Sequence, residues 1–342
     1  MTDAGEATWD GLRAADRSGM AEVLAGFPRQ CREGLALGEG IPLDRVAPFT
    51  RVVALGMGGS GIAGALLRSL VPVEVVPVHG YTVPPWVGEE SLAVALSYSG
   101  DTEETLAAFA QVRGRTRRLL AVTSGGELGR ICGREGIPWV EIPKGLQPRA
   151  ALGYLLFPLL GLFQKLDLAP DPGEALAVLE AMAGELSRGE ENEAQGLARA
   201  LAGRVAIVYG AGPAAPVAYR WKTQLNENAK APAFWAEIPE LCHNEVVGYE
   251  LQGKLLPQGT VVFLRSRHDH PRVGRRVEVL HELLDARKIP WIDVRARGEG
   301  PVAQVLSLLY LGDWVSYWLA LLHGVDPSPV AIITELKRRL AS

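Results

Sequence analysis

Two kinds of apolar pattern alternate along this chain: short, nearly unbroken apolar runs, and longer stretches with helical spacing. In the first half RVVALG, VEVVPVHG, SLAVALSYSG, RRLLAVTSGG and IPWVEIP are runs of the first kind. Their length and continuity predict strands buried on both faces. GMGGSGIAGALLRSL and DTEETLAAFAQVRGR, between them, read as helices, the second with acidic residues in its first turn where the macrodipole favours them. Strands alternating with helices predict a parallel sheet covered on both faces.

Before Gly40, MAEVLAGFPRQCREGLAL predicts one or two leading helices. ALGYLLFPLLGLFQKL is an apolar helix, and after a turn at Pro170-Asp171-Pro172 a helical link runs from about Gly173 to Leu201. RVAIVYGAG then repeats the opening pattern of strand and small-residue turn, with a helix from about Pro216. GTVVFLRSRHD and IPWIDVRAR are further strands, and VAIITELKRRL closes the chain as a helix. The pattern predicts an α/β fold in which one three-layer αβα unit with a parallel sheet is used twice as a pseudo-repeat, plus N- and C-terminal helices. The expected boundaries are a helical segment at 1–40, a first domain at 41–165, a helical link at 166–200 and a second domain at 201–342. The apolar run from Val305 to Gly324 is long enough for a membrane span, but Gly312 and Asp313 interrupt it. A buried helix between two sheets is the better reading.

With 342 residues, two core-forming lobes are expected. Composition is that of an ordinary globular protein, 48% hydrophobic and 22% charged, and a net charge of −4 argues against a nucleic-acid platform. Cys31, Cys132 and Cys242 are widely separated and form no CxxC pair, which suits a reducing, cytoplasmic compartment and no structural zinc. Cys242 adjoins His243, but neighbours on a chain rarely face one another as nucleophile and base. The acidic N-terminal stretch MTDAGEATWDGLRAADRSG lacks an apolar core and predicts no signal peptide.

The chemistry-bearing residues gather at the turns after strands. Gly56-Met57-Gly58-Gly59-Ser60-Gly61 satisfies GxGxxG, the dinucleotide fingerprint. Its usual companion is an acidic residue ending the second strand. Here that strand ends in His79-Gly80-Tyr81, and Ser60 suits a terminal phosphate better. Ser97-Tyr98-Ser99-Gly100-Asp101-Thr102 puts hydroxyls just ahead of a helix, where they and the free N–H groups can converge on a phosphate monoester. The other reading is that these residues cap the helix and shape the turn, although one cap would need only one hydroxyl. Arg149, after Pro148, can bring a guanidinium to the same anion. In the second half Glu227 lies among amides and lysines, with His243 further on, and a carboxylate and an imidazole can move a proton between adjacent sugar carbons. The other reading pairs Glu227 with Lys230 on a helix surface and makes His243 structural; spacing does not decide between them. His268-Asp269-His270 sits among Arg265, Arg267 and Arg272, a positive field that opposes a metal ion.

GMGGSGIAG, SYSGDTEETL, QPRAALGYL and NENAKAPAFWAEIPELCHNE, in that order over nearly the whole chain, resemble the bifunctional phosphoglucose/phosphomannose isomerases. The resemblance implies two sugar-isomerase (SIS) domains of flavodoxin-like form and an aldose–ketose isomerase that needs no metal or cofactor. It implies a hexose 6-phosphate substrate held by Gly59, Ser60, Ser97, Ser99 and Thr102. Glu227 matches the base that shuttles a proton between C1 and C2 through a cis-enediolate, and Arg149 matches the arginine that offsets the enediolate charge. His243 matches the ring-opening imidazole, which in such enzymes comes from the partner of a homodimer, and Lys337 matches the lysine at the ring oxygen. Neither a nucleic-acid nor a membrane partner is implied. Ala65 stands where an aspartate is common and Asp101 where an asparagine is common; Asp101 should cost phosphate affinity unless it points away. Ser328 is a candidate for the hydroxyl that admits mannose. A non-catalytic sugar-phosphate sensor would need only the hydroxyl cradle, a dehydrogenase would bind NAD(P), and an isomerase of another phosphosugar would share the chemistry.

Overall fold

Among the described residues of this computed structural model, 8–189 and 191–340, nine strands form two sheets that are parallel throughout. In the first, β1 (Arg51–Gly56), β2 (Glu74–Val78), β3 (Ser91–Leu96), β4 (Leu119–Thr123) and β5 (Trp139–Glu141) lie in the order β2-β1-β3-β4-β5. In the second, β6 (Val205–Ala211), β7 (Ala233–Ile238), β8 (Gly259–Arg265) and β9 (Trp291–Arg295) lie in the order β7-β6-β8-β9. The second order is the first without its last strand, so the repeat read from the apolar pattern holds at the level of topology. Each sheet reverses its winding beside its first strand, between β1 and β3 and between β6 and β8, the points at which α/β sheets open a crevice for ligands.

The central strands explain their own sequences. Every residue of β3 and all of β1 after Arg51 are buried, as parallel strands with helices on both faces must be. Val53, Leu55, Ala93 and Ala121 pack with Phe109 and Leu128 in the first core. In the second, Tyr209, Val261 and Phe263 pack with Tyr249, Leu280 and Leu284.

Contacts divide the chain into two compact units. The N-terminal unit comprises Gly26–Ala177 with Gly300–Val302; the C-terminal unit comprises residues up to Ala25, Val178–Glu299 and residues from Ala303 onward. The leading segment read as 1–40 is thus split at Ala25, and the link read as 166–200 is split at Ala177. The first seven residues of the acidic N-terminal stretch lie outside the described residues. The long apolar run forms the helix Pro301–Leu322, and 94% of its most apolar window is buried inside the protein, as a core helix requires. Being buried on every side, it shows no amphipathic stripe.

One strand is not legible in the pattern. β7 is an edge strand bracketed by Pro232 and Pro239, with Phe234, Trp235 and Glu237 exposed, so it neither alternates nor reads as an apolar run.

Candidate active site

In the N-terminal unit the predicted phosphate residues do come together, at the C-terminal ends of β1 and β3, the reversal point of the first sheet. The turn after β1 leads into the helix Gly58–Leu70, and the turn after β3 leads into the helix Glu103–Arg113. Ser60 Oγ accepts from Tyr98 N at 3.1 Å, tying one turn to the other. Ser97 Oγ accepts from Gly100 N at 3.1 Å and Ser99 Oγ from Asp101 N at 3.2 Å. A hydroxyl whose oxygen already accepts an N–H has its proton left to donate. Thr102 occupies the N-cap position, yet its side chain makes no capping bond and lies 3.0 Å from Ser97 Oγ instead. Helix capping does not account for Thr102, while the bonds from Gly100 N and Asp101 N to Ser97 and Ser99 shape the turn; the first N–H groups of the helix lie at the same turn.

Arg149 lies in the short turn Pro148–Ala150 and is 3% exposed. Its backbone presses on Gly59, where an added Cβ would stand 2.6 Å from Arg149 N and Cα. Glycine there is what lets the arginine turn approach the cradle. Tyr98, which sequence reasoning left unassigned, braces the loop before it: its hydroxyl donates to Pro143 O at 2.9 Å and accepts from Leu146 N at 2.8 Å. Its place inside the serine motif is the signal that could have found it.

The Asp101 carboxylate has a structural partner: its Oδ1 accepts from Glu127 N at 2.8 Å, at the start of the helix Gly126–Glu135. At the end of β2, where a dinucleotide site would carry a carboxylate, His79 Nδ1 is 2.8 Å from Gly56 O.

The C-terminal unit places its candidates differently. Glu227 is half-buried and is the last residue of the helix Ala215–Glu227, which runs back from the end of β6 to the start of β7. It therefore stands at the N-terminal edge of the second sheet, away from that sheet's small-residue turn. Lys230 Nζ donates to Glu227 O at 2.5 Å and to Pro327 O at 2.9 Å, joining this turn to the segment that holds Ser328. Ser328 is buried, with its N–H on Asp326 Oδ1 at 3.0 Å, and Asp326 Oδ2 accepts from Ser18 Oγ at 2.8 Å.

His243 is at the other edge. It ends the short turn Glu240–His243 beyond β7, is exposed, and is separated from Glu227 by the length of that strand, about 20 Å at the usual rise per residue. These two candidates are not brought together within one chain. The loop carrying His243 is anchored by a chain of bonds missed at the sequence level: Tyr209 OH donates to Glu245 Oε1 at 2.5 Å, and Tyr249 OH donates to Tyr209 OH at 3.1 Å. Burial raises both phenols, that of Tyr249 to about 12, so both remain protonated donors. Burial likewise raises the Cys242 thiol, with Arg276 opposing, which leaves it a poor nucleophile. Lys337 is exposed on the helix Ala331–Leu340, which has no buried residue.

The His268-Asp269-His270 stretch is occupied structurally. His268 Nε2 is 2.7 Å from Glu299 O, Asp269 Oδ2 accepts from Ser266 N at 3.1 Å, and His270 caps the helix Pro271–Ala286 by accepting from Arg272 N at 3.1 Å.

Residues 190–340 match the family model described as the bacterial phospho-glucose isomerase C-terminal SIS domain. The chain is 36% identical over 335 residues to a bifunctional phosphoglucose/phosphomannose isomerase of Caldicellulosiruptor bescii, covering 94% of this chain and 99% of that one. It is also 36% identical over 304 residues to the protein of the same name in Aquifex aeolicus, covering 86% and 92%. In fold it resembles the crystal structure of tagatose-6-phosphate ketose/aldose isomerase from Escherichia coli, with a TM-score of 0.69 over 92% of this chain and 95% of that one, at 17% identity.

Proposed function

The chain belongs to the bifunctional phosphoglucose/phosphomannose isomerase family, and from that premise we propose that its Glu227 is the base of an aldose–ketose isomerisation on a hexose 6-phosphate. The enzyme interconverts glucose 6-phosphate and mannose 6-phosphate with fructose 6-phosphate. The observation that carries the substrate class is the hydroxyl turn: three serine oxygens accept backbone N–H groups beside a helix N-terminus that Thr102 leaves uncapped. Such a turn offers O–H and N–H donors to a phosphate monoester.

The ester anchors the sugar, and binding energy from that remote group orients the reacting carbons. The Glu227 carboxylate takes the proton from C2 of the open-chain aldose. The electron pair forms the C1–C2 double bond of a cis-enediolate, and Arg149 offsets the charge that develops on its oxygens. The O2 proton passes to O1, Glu227 returns its proton to C1, and the ketone remains at C2. His243 opens the ring by moving a proton between the anomeric hydroxyl and the ring oxygen, with Lys337 at that oxygen. Both C2 epimers are accepted when the planar intermediate presents either face of C2 to the one carboxylate, and Ser328 is the hydroxyl assigned to the mannose ester. The exposure of His243, and its place a strand's length from Glu227, support its delivery from the second chain of a homodimer. The unpaired cysteines support a cytoplasmic location.

The test is a coupled assay of purified protein on glucose, mannose and glucosamine 6-phosphates, repeated with Glu227→Gln. Turnover of the first two, lost in the variant while fructose 6-phosphate still binds, is the expected result. Activity on glucosamine 6-phosphate alone refutes the substrate assignment, and turnover surviving in Glu227→Gln refutes the base.

A further inference from the structure

The helix that ends in Glu227 is held to the helix Pro301–Leu322 by a ladder of buried polar contacts. Arg220 donates from Nε to Asp313 Oδ1 at 3.0 Å and from Nη2 to Oδ2 at 2.7 Å, and both side chains are almost fully buried. One turn on, Gln224 Nε2 donates to the same Oδ1 at 2.9 Å. One turn further, buried Asn228 donates to Ser316 Oγ at 2.9 Å, which in turn donates to Asp313 O at 2.7 Å. Alongside, Trp221 Nε1 donates to Leu308 O at 2.8 Å, and its ring fills the place of a side chain at Gly312, where a Cβ would come within 2.2 Å of Nε1. Past the helix end, His323 Nδ1 is 2.9 Å from Ala229 O.

A buried ion pair is poor value as pure stabilisation, because apolar side chains of the same size hold two helices together at least as well. Burial pushes the Asp313 carboxyl upward, with Arg220 and Gln224 opposing, so ionising it carries a desolvation cost that its partners offset only in part. What such a pair supplies is direction. Positions 220, 224 and 228 share one stripe of the helix, and their partners sit on one stretch of the opposing helix. A slip by one turn or a rotation of the helix would leave every rung without its partner. The last rung, Asn228, is the residue after Glu227.

We propose that Asp313 and Arg220, with Gln224, Asn228 and Ser316, are positioning residues for Glu227: they fix the rotation and axial register of its helix, and so the direction from which the carboxylate meets the sugar carbons. This rests on Glu227 being the base. Proton transfer from carbon is sensitive to such placement, and a displacement of an ångström can cost about a hundredfold.

The test replaces the pair by apolar residues, Arg220→Met with Asp313→Leu, which removes the ladder's centre without leaving a buried charge alone. The expected result is a Tm within a few degrees of wild type and a KM for fructose 6-phosphate within about threefold, with kcat lower by about ten- to a hundredfold. The isotope effect on glucose 6-phosphate deuterated at C2 should rise, because a misplaced base makes C–H cleavage more fully rate-limiting; a purely structural role would not move it. If the double variant does not fold, Ser316→Ala decides, with a severalfold loss of kcat, unchanged KM and a raised isotope effect expected. Wild-type kcat and isotope effect in the folded variant overturn the proposal alone, provided Glu227→Gln is inactive. Turnover in Glu227→Gln overturns the base and the positioning role with it.

Discussion

Separating Glu227 and His243 by a strand's length makes a sharp prediction about mixed dimers. β7 has six residues, Ala233–Ile238, and at about 3.3 Å each it spans about 20 Å, longer than any hexose phosphate. If both groups act as proposed, one chain cannot apply them to one substrate, and each working site would take Glu227 from one chain and His243 from the other. Glu227→Gln and His243→Ala homodimers are then both inactive, the second by loss of ring opening. When equal amounts are dissociated and reassociated, about half the dimers are mixed. In each mixed dimer one site pairs the intact Glu227 of one chain with the intact His243 of the other, and the second site has neither. The mixture should recover about a quarter of wild-type activity per chain. The assay is the coupled fructose 6-phosphate reaction on differently tagged chains, with mixed dimers isolated through both tags. Isolated mixed dimers should show half of wild-type activity. If they are inactive, the two groups act in one chain, and the placement of at least one is wrong.

Other perturbations separate binding, packing and titration. Ser99→Ala removes one proposed donor to a charged phosphate, a bond worth about 1.5–3 kcal/mol, so steady-state assays should show kcat/KM lower by about tenfold or more, chiefly through KM. Asp101→Ala should instead cost about 1 kcal/mol of stability by uncapping Glu127 N, read by denaturant titration, with KM unchanged; a large fall in KM would show that the Asp101 carboxylate faces the anion. His281 stacks on Trp291 with ring centroids 3.6 Å apart, and burial lowers its imidazole below the ordinary 6.5, with Asp293 opposing. The unfolded chain then binds a proton there before the folded one does, so stability should fall as pH drops through the region just below 6.5. Thermal melts of His281→Gln should lack that part of the slope.

Fold and site were legible to different depths. Continuous apolar runs announced the buried central strands, because burial on both faces leaves no polar alternation to confuse them. β7 escaped because an edge strand next to prolines and exposed aromatics carries neither signal. The hydroxyl turn was legible as a cluster because its residues are close in sequence: Ser97, Ser99 and Thr102 fall within one turn, and the fold brings Ser60 to it. Asp101 could not be read the same way, since its partner, Glu127 N, comes from a distant helix. The direction of Glu227 was also hidden. The repeated topology suggests that both halves would use the same edge of their sheets, yet Glu227 sits at the start of β7 and not at the reversal point of the second sheet.

The residues that argued against a membrane span turn out to have a positive use. Gly312 and Asp313 interrupt an otherwise apolar helix, and an interruption alone says only that lipid is a poor solvent for it. In the folded protein the absent side chain of Gly312 admits the Trp221 indole, and the Asp313 carboxylate receives Arg220 and Gln224. Both act on the helix that delivers Glu227. A helix buried all round gains little specificity from apolar contacts, which tolerate sliding, so its orientation against a neighbour must come from a few directional groups. Where such a helix carries a single acid beside a glycine, the acid's partner is the place to look for the element whose exact register matters, and here that element ends in the proposed base.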